Sequence, residues 1–144
     1  MKKNFFYKKK ILVTGGSGSI GSAIVKKLLE KKCSTIRVLS NDENGIYHLS
    51  EEINNKNKNL KKKMIEKKIR FLIGDIRDFK RCITASKNID IIIHAAALKH
   101  VPLCEYNSQE AKKTNVEGTS NVVKAALKNR VKHFLFISTD KAAD

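Results

Sequence analysis

The chain has 144 residues, 41% of them hydrophobic and one a proline, with 30 lysines and arginines against 14 acids for a formal charge of +16. That length suits one α/β domain with a real core, or one part of a larger protein, and no segment nears the roughly 18 uninterrupted apolar residues of a membrane helix. The basic excess is almost all lysine, spread through a chain rich in Asn and Ile; base readout favours the arginine fork, so the charge reads as compositional bias and no nucleic-acid partner is expected.

The N-terminus, MKKNFFYKKK, starts like a leader, but Lys8, Lys9 and Lys10 break its apolar part after three residues. No export signal is expected, and a cytoplasmic location is. The run Lys10 to Glu30 organises the rest. Ile11, Leu12 and Val13 read as a strand buried on both faces; a glycine cluster stops it, and Ile20, Ile24 and Leu28 then fall at helical spacing. The glycines fit Gly15-x-x-Gly18-x-x-Gly21 or Gly16-x-Gly18-x-x-Gly21. Strand, bare turn and helix N-terminus in that order are what a diphosphate needs, so Gly15, Gly16, Ser17, Gly18, Ser19, Ile20 and Gly21 are cofactor-binding candidates. No Gly-Lys-Ser/Thr follows, which excludes a P-loop.

Cys33, Cys82 and Cys104 are odd in number, far apart and in no C-x-x-C arrangement. They read as reduced thiols, with neither a disulfide framework nor a metal site. Ser34 to Ser40 is the second strand, and its tip, Ser40 and Asn41, is expected at the adenosine ribose. An acid there would bind the 2′-hydroxyl; Ser40 is not one, though Asp42 and Glu43 stand just beyond. That leans the cofactor towards NADP, with NAD as the alternative.

Gly45 to Asn55 carries Ile46, Leu49 and Ile53 at helical spacing. A connection rich in Asn and Lys follows, from Lys56 through Lys61, Lys62, Lys63, Lys67 and Lys68, read as a solvated face. Ile69 to Ile73 is the third strand, closed by GDIRD. Asp75 and Ile76 then stand at a strand's carboxyl end, where a crevice lies in open α/β sheets; Asp75 reads equally well as the cap of a helix starting near Asp78. Ile89 to Ile93 is the fourth strand and runs into HAAALKHVP, whose Ala95, Ala96 and Ala97 let a flat ring and a diphosphate lie against backbone. A long helix from about Ser108, with Val116, Ser120, Val123 and Leu127 on one face, leads to the fifth strand, Val131 to Ile137, and to STDKAAD. The pattern predicts a Rossmann-type α/β domain over residues 1–144. Its doubly wound parallel sheet, order 3-2-1-4-5, forms three α/β/α layers and carries a dinucleotide between strands one and four.

The segments TGGSGSIG, GDIRD, HAAALKHVPLCEYN, KTNVEGT and STDKA, in this order, resemble the extended short-chain dehydrogenase/reductase superfamily. Within it they are similar to the CapD-like nucleotide-sugar 4,6-dehydratases of polysaccharide biosynthesis, which act on UDP-N-acetylglucosamine. Ser108 replaces the usual proline after EYN, and the family's later [Tyr/Met]-x-x-x-Lys element and substrate domain have no counterpart, so the resemblance implies the N-terminal, cofactor-binding part of such an enzyme. The implied chemistry is oxidation at sugar C4, loss of water across C5 and C6, and reduction at C6, with the dinucleotide recycled. It casts Lys141 as the C5 base, Asp140 as the acid for the C6 hydroxyl, and Thr139 or Ser138 as a hydroxyl for sugar or ribose; a plain Asp140–Lys141 ion pair is the alternative. Lys99 and His100 would contact cofactor or sugar, or else be an exposed cation and a packed ring. Asn115 would steady the active-site backbone beside the cofactor, or be an ordinary helix polar residue. The partners implied are a UDP-sugar and further copies of the chain. A 4-epimerase or reductase of the superfamily, or a noncatalytic dinucleotide-binding module, are the competing readings.

Overall fold

The computed structural model describes residues 4–56 and 61–138. Five strands, β1 (Lys10–Thr14), β2 (Thr35–Ser40), β3 (Ile69–Ile73), β4 (Ile91–His94) and β5 (His133–Phe136), form one sheet in the order β3-β2-β1-β4-β5. All four pairings are parallel, with Ile11 beside both Ile36 and Ile91, and Val13 beside Val38 and Ile93. The expected doubly wound order is the observed one. Asp90 sets the register at the amino end: its carboxylate accepts the Lys10 N–H at 2.9 Å and its carbonyl accepts the His133 N–H at 3.2 Å.

Because side chains alternate along a strand, each strand feeds two cores. Ile11, Val13, Ile36, Val38, Ile91 and Ile93 point to α1 (Ser19–Leu29) and α2 (Glu43–Lys56), meeting Val25, Leu28, Leu49 and Ile53. Leu12, Leu39 and Ile92 point the other way, to Cys82 and Ala85 of α4 (Phe79–Ser86) and to Val122, Ala125 and Ala126 of α7 (Thr119–Lys128). Three layers result.

Three expectations shift. Strand β4 starts at Ile91 rather than Ile89, since Asp90 is committed to tying β1, β4 and β5 together. The connection after α2 is partly helical: α3 spans Lys61–Lys68, and Lys68 is half-buried, its ammonium donating to the Leu29 carbonyl at 3.0 Å and the Lys31 carbonyl at 2.5 Å. It closes the C-terminal end of α1 instead of joining a solvated face; residues 57–60 lie outside the described residues.

The third shift concerns the helix before β5. Short helices α5 (Val101–Tyr106) and α6 (Ser108–Lys112) lead into a π-helical turn, Lys113–Gly118, before α7 begins. The widened turn changes the helical phase. Val122, Ala125 and Ala126 face the sheet, while Val116 and Leu127, expected to share one face with Ser120 and Val123, are 59% and 74% exposed. Ala125 and Ala126 bring α7 close to α4, while Val116 and Leu127 stay outside.

No described helix is long and apolar enough to cross a membrane. The thiols divide by burial. Cys33 and Cys82 are buried, donating to the Leu28 and Ile76 carbonyls, and burial foremost pushes Cys82 up to about 11. Cys104, on α5, is partly exposed. Brief iodoacetamide treatment of the native chain at pH 8 is therefore expected to add one label, at Cys104, by mass spectrometry, and all three labels after denaturation.

Candidate functional site

The carboxyl ends of β1, β2, β3 and β4 open into a crevice of about 540 Å³. On its floor the chain turns from β1 into α1 without side chains. Gly15 has φ +65°, donates its N–H to the Leu39 carbonyl at 2.8 Å, and lies so close to the chain just past β4 that a Cβ would stand 2.6 Å from the Ala96 nitrogen. Only glycine combines that dihedral with that approach. Gly18, the N-cap of α1, offers no side chain to the first-turn amides, so Ser19, Ile20 and Gly21 present the positive end of an 11-residue helix to the crevice.

Of the residues proposed from sequence, Gly15, Ser17, Gly18, Ser19, Ile20, Gly21, Ser40, Asn41, Asp75, Ile76, Ala95, Ala96, Ala97, Lys99 and His100 line this one crevice. Two take other places. Gly16 lies under the turn against the Val38 side chain. Asn115, in the π-helical turn, accepts the Leu98 N–H at 2.8 Å and donates to the Leu98 carbonyl at 3.0 Å, so it holds the far rim by its backbone. Thr139, Asp140 and Lys141 lie outside the described residues; Ser138 is exposed.

At the β2 end the Ser17 and Ser40 hydroxyls are 2.7 Å apart, and Ser40 also accepts the Asp42 N–H. Asp42 caps α2 through the Gly45 N–H at 2.9 Å, and it lines the crevice too. After β3, the cap of α4 is Asp78, accepting the Arg81 N–H, which leaves Asp75 to the crevice. The Asp75 carboxylate accepts the Arg77 N–H and Nε–H, each at 2.8 Å, and Arg77 reaches on to Glu110 at 2.9 Å. Burial works to raise the Asp75 carboxyl, but the Arg77 hydrogen bonds and charge, helped by Asn41, outweigh it and hold it below the usual carboxylate range.

Sequence reasoning passed over His94. At the end of β4 its ring is fully buried, with Nδ1 2.5 Å from the Thr14 hydroxyl and Nε2 2.9 Å from that of Thr119, and it stacks on Phe136 at 5.7 Å. Desolvation pushes its pKa down to about 4, so it is neutral at pH 7. The available signal was a lone polar residue directly after an isoleucine run, which must find buried partners. Arg77, Glu110 and Thr114 also line the crevice unforeseen.

A parallel sheet of this order, with a side-chain-free turn and an open helix N-terminus at its switch point, defines a Rossmann-type domain. The chain belongs to the CapD-like polysaccharide biosynthesis protein family, whose model matches residues 11–144. It is 50% identical over 141 residues to an uncharacterized membrane protein of Methanocaldococcus jannaschii, covering 98% of this chain and 39% of that one. A Campylobacter jejuni UDP-N-acetylglucosamine 4,6-dehydratase (inverting) is 41% identical (96% and 39% covered), and a Rickettsia bellii UDP-glucose 4-epimerase 39% (95% and 38%). Among solved structures, Pen from Bacillus thuringiensis superposes with TM-score 0.87 at 42% identity (97% and 40% covered). The dTDP-glucose 4,6-dehydratase DesIV of Streptomyces venezuelae, crystallised with NAD, gives 0.69 at 26% (87% and 38%). The chain thus spans about two fifths of the length of the relatives it matches.

Proposed function

We propose that this chain binds a nicotinamide dinucleotide in the crevice and is the cofactor-binding part of a nucleotide-sugar 4,6-dehydratase acting on UDP-N-acetylglucosamine. The observation that carries the reading is the bare backbone from Gly15 to Gly21, set against Ala96 and topped by the α1 N-terminus. A side chain at Gly15 would collide with the backbone of Ala95 and Ala96, and the volume is that of a cofactor pocket. The diphosphate would lie on that turn, the adenosine between Ser40–Asn41 and Asp75–Ile76, and the nicotinamide end along Ala95–Lys99.

When bound, the nicotinamide supplies the oxidation at sugar C4 and the reduction at C6. The chain's own share of the chemistry is assigned by similarity: Lys141 takes the C5 proton, Asp140 gives a proton to the departing C6 hydroxyl, and Thr139 orients the sugar or ribose. NADP is the cofactor we assign, because Ser40 stands where a ribose-binding acid would exclude the 2′-phosphate. NAD is favoured by one observation, that the Asp42 carboxylate lines the same end. An epimerase reading has the 39% identity to the Rickettsia enzyme behind it.

One incubation separates these readings. In a complete enzyme that carries this chain as its cofactor-binding part, incubation with UDP-N-acetylglucosamine and NADP or NAD is expected to give, by proton NMR, a 6-deoxy methyl signal that Lys141→Met removes. A C4 epimer would replace the dehydratase reading with the epimerase one, and dinucleotide binding without turnover would reduce it to a binding module. Absence of dinucleotide binding by calorimetry would overturn the whole assignment.

A further inference from the structure

We propose that His94 is a positioning residue that ties the two banks of the crevice together, fixing the start of the glycine turn through Thr14 and the Leu98 rim through Thr119 and Asn115. The hydrogen bonds run in one direction. The Thr119 hydroxyl donates to the Asn115 carbonyl at 2.7 Å, so it can only accept from His94, and Nε2 must carry the proton. Nδ1 is then the acceptor for the Thr14 hydroxyl. The neutral tautomer is thereby set by its neighbours. Thr14 directly precedes Gly15 and also accepts the Ala95 N–H on its carbonyl at 3.1 Å. At the other end Asn115 holds both backbone groups of Leu98, next to Lys99.

The π-helical turn gains a purpose from this relay. Asn115 and Thr119 are four residues apart, and the turn that contains Asn115 and ends at Gly118 presents Asn115 to Leu98 while Thr119 reaches inward to the imidazole. Besides the two hydroxyls, the ring faces Phe134 and Phe136 of β5. An apolar wall on that side leaves the relay as the ring's described polar contact.

Thr119→Val keeps the shape and removes the hydroxyl; Thr119→Ser keeps the hydroxyl. In the full chain without ligand, hydrogen exchange read by NMR should show the Leu98 amide exchanging roughly tenfold faster in Thr119→Val, a loss of about one hydrogen bond, with the core Val38 amide unchanged and Thr119→Ser close to wild type. His94→Gln should resemble Thr119→Val. Leu98 exchange that stays at the wild-type rate, or that rises only in step with Val38, would overturn the positioning role. A second arm rests on the dinucleotide reading: NADP affinity should fall roughly fivefold in Thr119→Val and return in Thr119→Ser. If the wild-type chain binds neither NADP nor NAD, that reading falls, while Leu98 exchange still decides the role of His94.

Discussion

Gly21→Ala is expected to abolish dinucleotide binding and to lower the melting temperature by about 10 °C, the two effects arising from one contact. A Cβ on Gly21 would overlap the Gly15 carbonyl oxygen and stand 2.7 Å from the Gly16 Cα. Both neighbours are backbone, held by the Gly15 N–H to the Leu39 carbonyl and by the Gly18 N–H to the Gly15 carbonyl. Neither can rotate away as a side chain would, so the whole α1 N-terminus must lift from the turn. Overpacking of this kind costs roughly 3 kcal/mol, which converts to that melting shift in a domain of this size. Gly18→Ala is the matched control. Its Cβ would meet nothing nearer than the Gly15 oxygen at 3.4 Å, and its backbone is extended at φ −69°. The folded state should keep nearly its full melting temperature while affinity drops, because the added methyl stands where the diphosphate must approach. Differential scanning calorimetry and titration of both variants check this. Equal loss of stability in the two would refute the Gly21 contact, and full affinity in Gly18→Ala would place the diphosphate elsewhere.

The sheet was legible because its strands carry a signal that needs no partner to be read. Ile11–Val13, Ile69–Ile73 and the isoleucines before His94 are apolar runs too short for helices, each bounded by glycine or polar residues, and helical patterns lie between them. Parallel order follows from those crossovers. The glycine turn was legible for a similar local reason. What escaped was set by distance. The phase of α7 depends on a π-helical turn that no single-helix pattern contains, so the buried face is Val122, Ala125 and Ala126 rather than that of Val116, Val123 and Leu127. The inward turn of Lys68 depends on carbonyls at the end of α1, nearly forty residues away in sequence. Arg77 and Glu110 meet only in three dimensions. Asp75 and Asp78 show the limit most directly: either could cap a helix from its position, and the Arg81 N–H chooses Asp78.

The stability of the chain is expected to fall by about 3 kcal/mol as pH drops from 6.5 to 4, because His94 cannot take up a proton while buried. Its folded pKa is about 4 against 6.5 in the unfolded chain. Between those values the unfolded state binds the proton and the native state does not, so acid favours unfolding; above pH 6.5 neither form is protonated and the contribution is flat, and below 4 both are and no more is lost. A second N–H, on Nδ1, would find no acceptor as the bonds stand, because the Thr14 hydroxyl is itself the donor there. Protonation would force the Thr14 hydroxyl to reverse, immediately before the glycine turn. Asp75 acts in a lower window: its depressed pKa stabilises the fold above its unfolded value and that contribution goes as pH falls further. Urea denaturation at pH 7.5, 6.5, 5.5 and 4.5 follows the His94 window without entering that of Asp75. His94→Gln, which cannot titrate, should be less stable than wild type at pH 7.5 yet lose little more on acidification to 4.5, so the two stabilities converge. A gap between them that stays constant across that range would show that His94 is not the group responsible.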